Sequence, residues 1–250
     1  MSVTYDGKGP DAALAAAKAF SKDGPIGDIL AADVLAKNGK SAEGIALLEK
    51  AQAARPSYPL VSKLVELNER NKDMKRAVAV LDGWTKAHPA DARARVDIAQ
   101  LYVRARNYNL AQAMFEKLAA ERPNDVIVLN NLAWLYGRTN DPRGRKMAEK
   151  AYQLAPDVPA IADTLGWIMT TQGDAPNAMK YLQAALDGLP GNPDVQYHVA
   201  LAMSKNNKVG DARVLLQKAL ASKDDFDSKT DAKQLLDRLA AGCVRPSVER

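Results

Sequence analysis

Two tryptophans in the middle of the chain each have polar neighbours, a combination that suits contact with a ligand. Trp134 comes four residues after Asn130, and Trp167 comes four residues after Asp163. Residues four apart in a helix lie on one face, so each indole would share a surface with an amide or a carboxylate. Such aromatic surfaces bind peptides or sugars, and tryptophan is a frequent hot-spot residue. The candidate contact residues are Arg93, Asp97, Asn130, Asn131, Trp134, Arg138, Asp163, Thr164, Trp167, Tyr197 and His198. The alternative is that each indole packs against a neighbouring helix and only fills space.

Residues that could carry out catalysis or bind a metal are few and scattered. The two histidines, His88 and His198, are far apart in the sequence, and the single cysteine is Cys243. The chain has no glycine-rich phosphate loop, no zinc-ligand spacing and no nucleophile elbow. We therefore expect a protein that is not an enzyme, with no catalytic residues, no metal site and no cofactor.

Regularly spaced prolines indicate how the elements that carry these residues are organised. Pro25, Pro56, Pro89, Pro123, Pro156 and Pro190 follow one another at steps of 31, 33, 34, 33 and 34 residues. A period of 34 with a terminal proline is typical of the tetratricopeptide repeat (TPR), which the chain resembles. The resemblance implies an all-α fold, a TPR α-solenoid in which helix–turn–helix repeats form a right-handed superhelix. The predicted repeats are 25–57, 58–91, 92–125, 126–158, 159–192 and 193–224.

Small and apolar residues recur at fixed positions of this repeat. Position 8 holds alanine, valine or glycine, and position 20 holds alanine or glycine, so the two helices of one repeat can approach closely. Positions 7 and 24 are apolar in every repeat, as expected for a buried helical stripe. Position 15 holds residues that tolerate a left-handed helix end, namely Gly39, Asn140, Gly173 and Asn207. Position 16 holds candidate helix caps, namely Asp73, Asn107, Asp141 and Asp174.

The two ends of the array differ. Residues 1–24 contain only a second helix, predicted over Asp11–Phe20 after a turn at Gly7-Lys8. The array therefore reads as a fragment that begins inside a repeat, with an unprotected apolar side available for self-association. The alternative is a degenerate first repeat. Residues 225–250 contain a closing amphipathic helix, Asp231–Leu239, and a tail that we expect to be frayed.

Charge and hydropathy exclude two classes of partner. The formal net charge is +5, and the basic residues are interleaved with acids along every helix, which is typical of a solvated surface. We therefore expect no binding to nucleic acid. No run of 18 apolar residues occurs, so we expect no membrane span in this chain.

A narrower resemblance rests on the stretch Asn130–Asp174, which contains LAWLY, DTLGW and a shortened turn, DPR. Together with VQYHVALAMSKNNK and the closing DAKQLL, these motifs make residues 92–240 similar to the C-terminal part of the TPR-repeat lipoproteins of PEP-CTERM/exosortase gene clusters. The resemblance implies a parent protein in the periplasm or at the outer membrane. It also implies a link with exopolysaccharide production and protein sorting.

The sequence therefore predicts a non-enzymatic TPR scaffold that binds a protein segment, a peptide or a polysaccharide in its concave groove. One alternative is a cytoplasmic adaptor for a signalling or secretion complex. Another is the targeting arm of an enzyme whose catalytic domain lies outside this chain.

Overall fold

A computed structural model describes residues 9–20, 24–223 and 225–241, and every regular element within them is an α-helix. The predicted turn at Gly7-Lys8, the tail 242–250 and its Cys243 lie outside these residues. The helices are α1 (Gly9–Ala19), α2 (Ile26–Lys37), α3 (Ser41–Ala54), α4 (Tyr58–Arg70), α5 (Met74–Ala87), α6 (Ala92–Arg104), α7 (Tyr108–Glu121), α8 (Val126–Arg138), α9 (Arg143–Leu154), α10 (Pro159–Thr171), α11 (Ala175–Gly188), α12 (Pro193–Lys205), α13 (Val209–Leu220) and α14 (Lys229–Ala240). The all-α fold class is therefore confirmed.

The chain divides into two compact units, and each is described by itself. Unit 1 ends at Met114 and unit 2 begins at Phe115. In unit 1, each helix from α1 to α5 packs against the next one along the chain, and α2 also contacts α4. In unit 2, the same order holds from α8 to α14, and α10 contacts both α8 and α12. The even-numbered helices α2 to α12 are therefore the first helices of successive pairs, and the odd-numbered helices α3 to α13 are the second helices.

The turn inside each helix pair repeats with the same hydrogen bonds. In the pair α10/α11, the N–H of Gly173 donates to Thr170 O at 3.2 Å, and that of Asp174 donates to Met169 O at 2.8 Å. This is the Schellman motif, which requires a residue with positive φ after the helix. Such a residue occurs in all six pairs, at Gly39, Lys72, Arg106, Asn140, Gly173 and Asn207. The four glycine and asparagine positions were predicted, while Lys72 and Arg106 adopt the same conformation without the residue types that favour it.

Close approach of the two helices of a pair is also confirmed. A Cβ added to Gly44 would lie 3.0 Å from Ala32 O, and one added to Gly144 would lie 3.2 Å from Ala133 O. A Cβ on Gly166 would lie 2.5 Å from Leu182 Cγ. Small residues at positions 8 and 20 are therefore needed for the backbones to pack at this distance.

The apolar stripe forms the core of both units. Each residue at positions 7 and 24 is at most 3% exposed, and these residues are Ala31, Leu48, Leu64, Leu81, Ile98, Phe115, Leu132, Ala148, Leu165, Leu182, Val199 and Leu216. Full burial of one large aliphatic or aromatic side chain contributes about 1.5–3 kcal/mol. Packing between successive helices therefore provides most of the stability of each unit.

Helix capping differs in part from the prediction. Asp73 accepts a hydrogen bond from the N–H of Arg76, as a cap should, but Asp174 makes no capping bond. Instead Asp174 Oδ2 accepts from Arg145 Nη2 at 3.1 Å. Three further caps were not predicted, because they precede the first helices of the pairs: Asp91, Asp125 and Asn192 each accept from one or two backbone N–H groups.

Candidate binding surface of unit 2

Three aromatic rings from three neighbouring helices follow one another on unit 2. The ring centroids of Trp134 on α8 and Trp167 on α10 are 6.5 Å apart. The indole of Trp167 is in turn stacked on the imidazole of His198 on α12, at 5.3 Å and 25°. We call Trp134, Trp167 and His198 the aromatic row. It forms because α10 lies between α8 and α12 and contacts both.

Gly137 allows Trp167 to take its place in this row. A Cβ on Gly137 would lie 2.6 Å from Trp167 Cζ3 and 2.9 Å from Ile168 Cγ1. The six-membered ring of Trp167 therefore lies directly on the backbone of α8. Trp167 is partly buried and also packs against the core cluster of α10, α11 and α12. Trp167 therefore packs against the protein and also keeps part of its surface accessible.

A guanidinium lies over the first ring of the row. Arg138 Cζ is 4.9 Å from the ring centroid of Trp134, and the side chain of Arg138 is exposed. Cation–π pairs at exposed sites contribute about 0.5–1 kcal/mol. Trp134 itself is partly buried. This end of the row therefore offers an aromatic face and a cation together.

The other end of the row contains a buried ion pair. His198 Nδ1 lies 3.0 Å and 2.9 Å from the two carboxylate oxygens of Asp163, and His198 is 4% exposed. Burial alone would lower the pKa of His198, but the charge and hydrogen bond of Asp163, with a contribution from Asp194, raise it above its ordinary value. His198 was predicted as a contact residue, but its side chain is covered by its neighbours.

Two asparagines flank the row on α8. The amide of Asn131 donates to Ile127 O at 2.8 Å. The Oδ1 atom of Asn130 is shielded from solvent and accepts no hydrogen bond from the described residues. Shielded polar atoms are nearly always hydrogen-bonded in folded proteins. The Oδ1 atom of Asn130 is therefore an exception among the described residues, a shielded acceptor without a donor.

Two further predicted contact residues belong to the interior, as His198 does. Thr164 is 4% exposed, and its hydroxyl donates to Ala160 O at 3.0 Å. Tyr197 is 8% exposed and packs with α14 in a cluster that includes Leu235 and Leu239. Its burial, together with the charge of Asp231, raises its pKa to about 12. The expectation that Tyr197 shares an open surface with the tryptophans is wrong, because α14 covers α12.

The remaining two predicted residues, Arg93 and Asp97, lie together on unit 1. Arg93 Nε is 4.0 Å from Asp97 Oδ2, and its guanidinium lies 5.2 Å from the ring centroid of Tyr58. The hydroxyl of Tyr58 donates to Asp97, and burial followed by this bond raises the pKa of Tyr58. The sequence did not indicate Tyr58 as a partner of Asp97. Tyr58 precedes a proline at the start of α4, and its position in the repeat is not one at which a recurring residue type was found.

A second tryptophan environment occurs on the same unit. Trp84 Nε1 donates to Asp91 at 3.0 Å, and its ring is stacked on His88 at 3.8 Å. Trp84 also contacts Tyr58, with ring centroids 5.9 Å apart. Because Asp91 caps α6, Trp84 links the end of α5 to the start of the next helix pair. We interpret this cluster as structural.

No group of three or more histidine, cysteine, aspartate or glutamate side chains within 9–20, 24–223 and 225–241 could hold a metal ion. Among these same residues, no helix is long and apolar enough to cross a membrane.

Comparison with protein families finds the tetratricopeptide repeat in three stretches of the chain. One family model of this repeat matches residues 70–135 and 169–239, and a second matches residues 29–92. Among characterised sequences, a TPR repeat-containing protein of Pseudomonas aeruginosa is 28% identical over 180 residues, which is 68% of this chain and 30% of that protein. The chain thus spans about a third of the length of this relative.

Solved structures with the same fold share little sequence with the chain. The APC/C hetero-tetramer Cut9-Hcn1 has a TM-score of 0.71 at 15% identity, over 92% of this chain and 45% of that one. A tetratricopeptide repeat protein from Parabacteroides merdae has a TM-score of 0.66 at 16% identity, over 91% and 90% of the two chains. PilW, a type IV pilus biogenesis factor, has a TM-score of 0.56 at 21% identity, over 74% and 90%. At such identities the likeness concerns the fold alone.

Proposed function

The chain belongs to the tetratricopeptide repeat family, and from that premise we propose that the aromatic row of unit 2 binds an extended segment of a partner protein. Proteins of this family are generally non-catalytic scaffolds that bind proteins or peptides. In this proposal Trp134 and the open part of Trp167 contact side chains of the segment. Arg138 lies at one end of the row.

The spacing of the two indoles is the observation that carries this proposal. Their centroids are 6.5 Å apart. In an extended peptide, alternate side chains point to the same side and are about 6.4–6.8 Å apart, since each residue advances the chain by 3.2–3.4 Å. Two side chains of one segment can therefore each contact one indole without bending the chain.

The polar groups around the row fit the same partner. Asp163 is already bonded to His198, so its carboxylate has a partner within the protein. Arg138 is exposed and lies over Trp134, and its positive charge favours a segment with an acidic residue next to its apolar ones.

Selection of peptides from a random 12-residue display library tests this proposal. The folded wild-type chain would be the bait, and Trp134→Ala the counter-selection bait. We expect enrichment of sequences with apolar or aromatic residues at alternate positions. Enriched peptides that bind both baits equally would refute the proposed surface.

A polysaccharide is the second candidate ligand, because tryptophan faces beside amides and carboxylates also bind sugars. Titration with a panel of soluble acidic and neutral oligosaccharides distinguishes the two. An oligosaccharide ligand would show saturable quenching of tryptophan fluorescence that is lost in Trp134→Ala. If selected peptides also fail to bind, the polysaccharide becomes the supported ligand and the peptide proposal is refuted.

For the parent protein we propose a place in a bacterial envelope system for exopolysaccharide production or protein sorting, in the periplasm or at the outer membrane. The resemblance of residues 92–240 to the TPR-repeat lipoproteins of PEP-CTERM/exosortase clusters supports this location. Protease treatment of spheroplasts tests it. We expect the protease to digest the full-length protein while a cytoplasmic control protein survives. Protection of both proteins in intact spheroplasts would contradict the location.

A further inference from the structure

We propose that Asp163 and His198 act as a positioning pair that holds the indole of Trp167 in the aromatic row, and that this makes peptide binding at the row dependent on pH. The pH dependence of peptide binding rests on the proposed function. The positioning itself concerns residues of this chain alone.

The geometry joins three groups from two helices. Asp163 and Trp167 are four residues apart on α10, so they lie on the same face of that helix. His198 on α12 contacts both, through the hydrogen bond from its Nδ1 to the Asp163 carboxylate and through its stack on Trp167. The imidazole therefore connects the carboxylate to the indole. On its far side, Trp167 lies against Gly137, so the ring is held between α8 and α12.

Both members of the pair are shielded from solvent. The side chains of His198 and Asp163 are 5% and 13% exposed. A shielded carboxylate is strongly disfavoured unless an opposite charge compensates it. Protonated His198 supplies that charge. When the proton leaves, neutral histidine still donates one hydrogen bond, but the carboxylate loses its counter-charge.

The charged groups around the pair are few. Those that act on the imidazole are Asp163 from α10 and Asp194 from α12 itself. Helix α14 contributes Asp231 and Arg238, whose charges act on the neighbouring Tyr197. The other helices packed against α12 carry Lys180 and Asp187 on α11, and Asp211, Arg213 and Lys218 on α13. Lys205, at the end of α12, donates to Thr170 O of α10 at 2.9 Å. Burial lowers the pKa of His198, and the two acids Asp163 and Asp194 together raise it by more.

The direction of the pH effect follows from these charges. The pKa of His198 is raised above the ordinary 6.5, so the protonated form is favoured in the folded protein. The stabilising effect of the pair is fully present below pH 6.5, where an unfolded histidine is also protonated, and it is lost as the pH rises through the folded pKa. Above that pKa the carboxylate draws in water or moves, and Trp167 loses a charged partner against its face. A cation–π contact with a desolvated cation stabilises the contact state enough to change its equilibrium constant about tenfold or more.

Two-dimensional NMR of the full chain, titrated from pH 5.5 to 9, tests the positioning. The indole Nε1–H resonance of Trp167, assigned by its loss in Trp167→Phe, should shift with the same midpoint as the imidazole resonances of His198. That midpoint should lie above 6.5. In Asp163→Asn the midpoint of His198 should fall, because burial then acts without the carboxylate. The matched control Asp157→Asn, at an exposed acid, should leave both midpoints unchanged.

Further outcomes separate this inference from the proposed function. His198→Gln, with its helix content checked by circular dichroism, should abolish the titration of the Trp167 indole. A Trp167 resonance that stays constant while His198 titrates would overturn the positioning. A selected peptide that binds wild-type protein equally on both sides of the midpoint would overturn the pH dependence. If the indole titrates but no selected peptide requires Trp134 or Trp167, the positioning stands and the proposed function fails.

Discussion

Replacing Gly137 with alanine should show how tightly the backbone of α8 and the ring of Trp167 are fitted together. The new Cβ would lie 2.6 Å from Trp167 Cζ3, 2.9 Å from Ile168 Cγ1 and 3.1 Å from Trp167 Cη2. Contacts this short force the ring or the helix to move, and overpacking of this kind costs about 1–3 kcal/mol. Alanine also gains about 1 kcal/mol over glycine as a helix former. The net change in the free energy of unfolding is therefore a loss of about 0–2 kcal/mol.

Gly83→Ala is the matched control, because Gly83 lies in α5 and a Cβ there would meet nothing within 4 Å. Both variants replace a helical glycine with alanine, so the difference between them mainly reports the steric effect. We expect Gly83→Ala to be the more stable of the two by about 1–3 kcal/mol in urea unfolding followed by circular dichroism. The indole resonance of Trp167 should move only in Gly137→Ala. Equal stability of the two variants, with an unmoved Trp167 resonance, would refute the described packing.

Three further predictions concern local features. Lys72 has a φ of 62°, so Lys72→Gly should relieve left-handed strain and raise the free energy of unfolding by about 0.5–1 kcal/mol, and a decrease would contradict this. Asp125 accepts hydrogen bonds from two backbone N–H groups at the start of α8, so Asp125→Ala should cost about 1 kcal/mol in denaturant unfolding, whereas Asp157→Ala at an exposed position should stay within about 0.5 kcal/mol of wild type. Burial raises the pKa of Tyr197 from 10.0 to about 12, so the stability it contributes below pH 10 should be lost between pH 10 and 12. Tyr197→Phe should remove that part of the pH dependence in thermal melts, and an unchanged profile would refute the burial of this hydroxyl.

The fold could be predicted from sequence because one repeated unit supplies most of the packing contacts. The small residues at positions 8 and 20 indicated the close approach that Gly44 and Gly166 show. The left-handed turn was evident where glycine or asparagine occupied it. At Lys72 and Arg106 the residue types do not indicate a left-handed conformation, and only the period of the repeat predicted a turn there. The same hydrogen bonds form at these two turns because the packing of the flanking helices overrides the preference of a single residue.

The candidate site could be predicted only in part. The spacing placed Trp134 and Trp167 on neighbouring helices, and their rings do come together. It could not show that α14 would cover Tyr197, because that helix lies outside the period of the repeat. Nor could it show that Gly137 supports Trp167, since a glycine near the end of a helix usually indicates a turn. Burial of His198 also depends on the packing of α10 against α12, which a single sequence does not specify in such detail.

The most direct test of the central claim measures binding and stability on the same variants. Dissociation constants of a selected peptide should be compared for wild type, Trp134→Ala and Trp167→Ala, with thermal melts in parallel. The proposal predicts a loss of affinity of about 2 kcal/mol or more, roughly thirtyfold, for the tryptophan that contacts the segment. The loss of stability should stay below the roughly 3–5 kcal/mol expected for emptying a fully buried aromatic site. A large fall in melting temperature with unchanged peptide affinity in both variants would contradict the proposal and make the two tryptophans core residues.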